Sequence, residues 1–204
     1  GALRIGEGRP KTIVPITAAQ ADLALQQAAA IAASPATDLA EWRIDYLDSA
    51  TDGAALVALG KRIEQALGGK PMVVTFRTKA EGGARAISDA DYGALNQALL
   101  QGGFAQLLDV EMFRDRQVVA GLVKAAHAAG VKVVMSSHDF RATPPREEIV
   151  SRLLQQEAMG ADVLKIAVMP RDAGDVLTLL DATWQVGQRS DRPLLTMSMW
   201  GTGV

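Results

Sequence analysis

The chain has 204 residues, enough for one domain with a full core, and its 49% apolar and 22% charged residues are ordinary for a globular fold. With 21 basic and 23 acidic residues the charges nearly cancel, so nothing indicates a nucleic-acid or membrane-surface partner. The absence of cysteine excludes a disulfide framework and thiolate metal sites. No apolar run reaches membrane-span length, and polar, glycine-rich Gly1 to Lys11 does not read as a signal peptide, so the expectation is a cytoplasmic protein.

In chain order, strand signals alternate with helical ones. Lys11 to Ile16 reads as a first strand and Ala18 to Ala33 as its helix. Leu39 to Asp45 is the second strand, with a helix over Asp52 to Leu67. Met72 to Arg77 follows as the third. Ser88 then opens a helix to Gln101, with Asp91 three residues on completing an N-terminal cap signature. Leu107 to Glu111 is the fourth strand, and the helix from Arg114 to Ala129 carries Val118, Leu122, Val123 and Ala126 on one face. Val131 to His138 is the fifth. After Pro144-Pro145 a helix runs from Arg146 to Met159 with Ile149, Leu153, Leu154 and Ala158 as its buried stripe. A sixth strand lies within Ala161 to Pro170, a helix spans Ala173 to Gln188, and Leu194 to Met199 is the seventh strand. No linker or second domain is visible, so residues 1–204 read as one domain.

Strand and helix in alternation, without hairpin signals, mean parallel strands with crossover helices. A doubly wound sheet would announce itself with a glycine-rich loop after the first strand, and Pro15 to Gln20 contains no glycine. The pattern therefore predicts an α/β (β/α)8 TIM barrel. Helices cover the outside of such a barrel, so its strands have no solvent face, and polar residues must converge inside, toward the C-terminal strand ends. A two-residue period puts Glu41, Arg43 and Asp45 on one face. The corresponding sets are Val73, Thr75 and Arg77; Leu107, Asp109 and Glu111; Val134, Ser136 and His138; and Val163, Lys165 and Ala167. Trp42 falls on the opposite face, in the core against the helices.

Lys165 is the odd residue in its apolar strand. Two readings stand: a desolvated amine able to attack a carbonyl, or an edge lysine guarding against strand pairing. With His138 as a group able to titrate near neutrality, and Arg43 and Arg77 as guanidiniums, the first reading describes a site for a small oxygenated carbonyl compound. An imine acidifies the neighbouring carbon and permits loss of a β-hydroxyl or cleavage of a C–C bond. Asp109, Glu111 and Asp45 read as charge partners of these cations. Gly82-Gly83 shapes a loop, and His127 reads as a helix-surface residue near a C-terminus.

The segments IGEGRPKTIVPI, EWRID, TFRTKAEGG, LLDVE, SSHDF, LKIAVMP and TMSM, in that order, resemble the type I 3-dehydroquinate dehydratase family, a Schiff-base barrel family. The resemblance covers nearly the whole chain. It implies syn elimination of water from 3-dehydroquinate to give 3-dehydroshikimate, without metal or organic cofactor. Lys165 falls at the imine-forming lysine, His138 at the general acid/base, and Glu81 at a carboxylate that orients this histidine. Glu41, Arg43 and Arg77 fall where substrate hydroxyls are bound, and Met197 and Met199 at the pocket wall. A homodimer is also implied.

Two departures qualify the resemblance. Trp200 stands where a small residue is usual. Family members also continue with a helix, an eighth strand and a closing helix that bring an arginine for the substrate carboxylate and a covering loop. The expectation is thus a barrel lacking these elements, with first and seventh strands as open edges, and a longer native protein. The alternatives left open are a class I aldolase-type Schiff-base lyase and a catalytically silent sugar-acid-binding relative.

Overall fold

A computed structural model of the chain describes residues 4–201 and Gly203. Its elements are β1 (Ile13–Ile16), α1 (Ala21–Ala33), β2 (Leu39–Arg43), α2 (Gly53–Ala66), β3 (Met72–Thr75), α3 (Asp89–Gln101) and β4 (Leu107–Glu111). They continue with α4 (Arg116–Ala128), β5 (Lys132–Asp139), α5 (Arg146–Ala158), β6 (Val163–Val168), α6 (Ala173–Gly187) and β7 (Leu194–Ser198). All neighbouring strands pair in parallel and in sequential order, leaving β1 and β7 as the edges of the described sheet.

This sheet is curled into an open barrel. Lys165 on β6 approaches Glu41 on β2 to 3.5 Å, whereas strands four places apart would lie roughly 19 Å apart in a flat sheet. Inside the curl, Leu39, Val73, Leu107, Val134 and Val163 make an apolar floor with Ile5 and Ile13 packed against it. The opposite strand faces, among them Trp42, Val74, Leu108, Met135, Leu164 and Ile166, join the helices in the main core. Trp42 is fully buried and meets Phe104 edge to face at 6.0 Å.

Several element ends differ from the sequence reading, each for a local reason. Thr12 N–H donates to the Asp38 carboxylate, so β1 begins only at Ile13. β2 stops at Arg43 and a 3-10 turn carries Ile44–Tyr46, which takes Asp45 out of the strand. β3 stops at Thr75, so Arg77 lies just past its end. Asp115 caps α4 by accepting from Gln117 and Val118 N–H, which moves its start from Arg114 to Arg116. The Ser88 cap is formed as expected, accepting from Asp91 N–H at 3.0 Å.

Two helix faces are corrected as well. On α4 the buried residues are Val119, Leu122, Val123 and Ala126, with Val118 only partly buried. On α5 the buried stripe is Ile149, Val150, Leu153 and Gln156, while Leu154 is partly buried and Ala158 exposed. The substitution of a glutamine for an apolar residue in that stripe hid it from a reading based on hydrophobic period.

Gly60 shows how tightly α2 closes on the barrel, since a Cβ there would lie 2.4 Å from the Phe104 ring. Gly60→Ala should therefore lower the unfolding free energy by ~1–3 kcal/mol through overpacking. Urea unfolding checks this, and an unchanged midpoint would mean that Phe104 can yield.

Candidate active site

Above the apolar floor, the inward face of the barrel becomes polar. Glu41, Thr75, Asp109, Ser136 and Lys165 form the next level, each delivered from its strand by the two-residue alternation. Lys165 is only 9% exposed and lies on a strand paired on both sides, so the edge-lysine reading is excluded. Its Nζ sits 3.5 Å from Glu41 Oε1 and 3.6 Å from Asp109 Oδ2. Thr75 donates to the same Glu41 oxygen at 2.9 Å.

The backbone beneath this lysine is also held. Gln156 on α5 reaches the strand, its Oε1 accepting from Lys165 N–H at 3.0 Å and its Nε2 donating to Lys165 C=O at 2.9 Å. A fully buried carboxamide with both ends satisfied is a stable polar device in an apolar layer. It fixes the direction in which Lys165 leaves the strand.

At the rim, Arg77 is the hub. Its Nη2 donates to Asp109 at 2.7 Å, and its Nη1 donates to Glu111 at 3.0 Å and Ser136 at 2.9 Å. Burial opposes the guanidinium charge, but Asp109 and Glu111 outweigh it and raise the Arg77 pKa well above its usual value. Burial likewise pushes Asp109 up, while Arg77 and Lys165 pull it down further, to about 2. Glu111 also accepts from Thr78 N–H and Oγ1 at 2.8 and 2.7 Å, and its N–H donates to the buried Tyr92 hydroxyl at 3.2 Å. The charge-partner reading of Asp109 and Glu111 thus matches the geometry.

Arg43 is held differently. It forms a two-bond fork to Asp45, 2.8 Å for each bond, and lies over the Tyr46 ring at 4.8 Å. The 3-10 turn after β2 swings Asp45 back to make this fork, and Asp45 also accepts from Arg77 and Ala84 N–H. Arg43 remains partly exposed at the mouth, whereas Arg77 is nearly enclosed.

The segment after β3 delivers Glu81 on a second 3-10 turn, Lys79–Glu81. Gly82 ends the turn at φ +82°, and at Gly83 a Cβ would lie 1.9 Å from the Arg77 carbonyl oxygen, so both glycines are required by the loop. Glu81 Oε2 meets His138 Nδ1 at 2.8 Å. Burial, followed by the cations Arg77 and Lys165, drives the His138 pKa down to about 2. Burial and the Glu111 charge push Glu81 up to about 8. Both shifts disfavour charge on this enclosed pair and keep the imidazole neutral.

Met197 shares the inward face of β7 and is half exposed, and Met199 continues the ladder, its N–H donating to Val168 C=O at 2.9 Å. A cavity of about 590 Å³ extends from Met197 past Lys165 and Glu41 to the apolar floor. His127 stands apart on α4, partly exposed, and bonds Asp162 at 2.9 Å. Among the described residues, no three His, Asp or Glu side chains are grouped to hold a metal ion, and no helix is long and apolar enough to cross a membrane.

The structure therefore brings Lys165, His138, Glu81, Glu41, Arg43 and Arg77 to one mouth of the curled sheet. Sequence reasoning missed Gln156, Thr78 and Tyr92. Each supports a charged residue from another element, and no local pattern signals that.

A curled parallel sheet with an enclosed lysine and a carboxylate–histidine pair at the strand ends is the arrangement of an α/β-barrel enzyme, whose site lies at the C-terminal ends of the strands. Residues 12–204 match the family model described as Type I 3-dehydroquinase, and the chain belongs to this type I 3-dehydroquinate dehydratase family. It is 51% identical over 202 residues to the catabolic 3-dehydroquinate dehydratase of Acinetobacter baylyi, covering 99% of this chain and 74% of that protein. A 3-dehydroquinate dehydratase of Listeria monocytogenes is 47% identical, with 98% and 79% covered. Among solved structures, the Enterococcus faecalis 3-dehydroquinate dehydratase superposes with TM-score 0.96 at 44% identity, covering 98% of this chain and 84% of that one. The type I enzyme of Clostridium difficile, solved with covalently modified comenic acid, gives 0.95 at 40% identity, covering 98% and 79%.

The His138 shift has a consequence for stability. Its folded pKa is depressed below the unfolded value of 6.5, so its contribution is present above pH 6.5 and is lost as pH falls, when the unfolded chain takes up a proton that the fold refuses. From pH 6.5 to 5 this removes ~1.5 kcal/mol. Urea unfolding of wild type and His138→Asn should show that extra loss in the wild type alone, and parallel pH dependences would contradict it.

Proposed function

We propose that this chain converts 3-dehydroquinate to 3-dehydroshikimate by eliminating water through an imine on Lys165. The observation that carries this reading is the placement of the enclosed Lys165 beside the His138–Glu81 pair. Ser136 pairs with Lys165 and His138 with Ala167, so His138 stands one inward step, ~7 Å along the strand direction, closer to the mouth. A ring bound as an imine below would present its neighbouring carbon toward the imidazole.

The Lys165 amine adds to the substrate carbonyl and water leaves as one proton is taken up, giving the iminium; the final hydrolysis returns that proton. Neutral His138 takes a proton from the adjacent carbon, and the electron pair is held as an enamine. The enamine then expels the β-hydroxyl, which takes the proton back from His138 and leaves as water on the same face. Hydrolysis of the conjugated iminium frees the enone and Lys165, so one water is lost overall.

His138 acts as base when its Nδ1–H donates to the Glu81 carboxylate and its Nε2 is free. Because Glu81 is pushed up to about 8, the share of this form grows as pH rises toward that value. Glu41 and Arg43 bind ring hydroxyls at the mouth. Arg77 adds those of its five N–H groups that Asp109, Glu111 and Ser136 leave over. Met197 and Met199 form the apolar wall.

The names of the relatives at 47–51% identity favour dehydration over aldol cleavage. A deoxyribose phosphate aldolase at 14% identity shares the fold alone. A homodimer in the cytoplasm is the expectation from the family, which sedimentation and fractionation would check.

Enone formation, followed by ultraviolet absorbance with 3-dehydroquinate, tests the proposal. Lys165→Ala should abolish it, and His138→Asn should lower kcat by ~10²–10⁴-fold while the imine still forms. Full turnover by Lys165→Ala, or none by a folded wild type, would reject the proposal.

A further inference from the structure

We propose that Phe140 is a positioning residue that shields the Glu81–His138 hydrogen bond from water. Phe140 follows β5 directly, in a loop pinned by Asp139, whose Oδ1 accepts from Arg141 and Ala142 N–H at 3.0 and 3.1 Å. Its ring lies nearly parallel to the His138 imidazole, at 17° and 6.4 Å between centroids. The same ring rests on Gly82, where a Cβ would lie only 2.2 Å from its Cε2 and Cζ.

Gly82 is the residue after Glu81, so the ring packs on the backbone next to one partner of the hydrogen bond and lies nearly parallel to the imidazole of the other. Phe140 is itself 46% exposed, which puts it between the pair and bulk water. The left-handed φ of Gly82 and its missing side chain have a joint purpose here: they let the segment after β3 turn beneath the ring.

Water exclusion matters because the pair works only while the imidazole stays neutral and its Nδ1 bond to Glu81 fixes the ring. The charged groups facing His138 are Glu81 and Arg77 from the segment after β3, Asp109 and Glu111 from β4, Lys165 from β6 and Arg43 from β2. None of them is altered when Phe140 is changed. A change in His138 titration then reports access of water.

The inference rests on the proposed acid/base role of His138, but its readout needs no turnover. The chain has two histidines, so imidazole NMR of the substrate-free protein, with His127→Gln for assignment, follows His138 alone. Phe140→Ala should raise the His138 midpoint by about one pH unit or more toward its ordinary value, and Phe140→Leu should restore the wild-type titration. An unchanged midpoint in folded Phe140→Ala would overturn the proposal. Failure of the imine mechanism would instead leave these titrations as expected while Lys165→Ala kept full turnover or the folded wild type showed none.

Discussion

The buried ion group centred on Arg77 is the constraint on which the site depends. One guanidinium ties Asp109, Glu111 and Ser136, from two strands, to the segment that leaves β3. Removing one member of such a buried set leaves a charge without its partner and costs ~3–5 kcal/mol. The arrangement is therefore fixed, and its members place everything else. Asp109 faces Lys165, Glu111 grips Thr78, and the turn that follows Thr78 carries Glu81 to His138.

That constraint also explains how the histidine proposed for acid/base work and the amine proposed as nucleophile share one enclosure. Carboxylates flank Lys165, whereas at His138 burial and the cations Arg77, Lys165 and Arg43 outweigh the pull of Asp109. Two titratable groups one strand apart thus stand in opposite electrostatic environments, the arrangement by which a fold assigns separate roles to neighbouring groups. The curl of the sheet is what makes this possible, since it brings β2 and β6 within contact distance.

Much of this was legible in the chain because helices cover the outer strand faces. Once the strands are parallel and covered, alternation alone sends Glu41, Arg43, Asp109, Glu111, Ser136, His138 and Lys165 inward. Alternation loses authority where the strands end. Asp45 and Arg77 reach the mouth through a 3-10 turn and a strand exit, and Glu81 through a second 3-10 turn, none of which has a two-residue period. Glu81 was placed by family resemblance and not by pattern. Gln156 was hidden because its polar side chain occupies a helix face that period-based reading reserves for apolar residues. The ring of Phe140 over Gly82 joins residues 58 positions apart in sequence, and a single sequence carries no signal for such a contact.

The proposed reaction stands on a covalent imine between Lys165 and the substrate. Borohydride reduction in the presence of 3-dehydroquinate, followed by peptide mass analysis, tests it most directly. The account predicts a stable adduct on the peptide carrying Lys165 and none in Lys165→Ala. A folded protein that turns over substrate without a trapped adduct, or an adduct on another lysine, would contradict it.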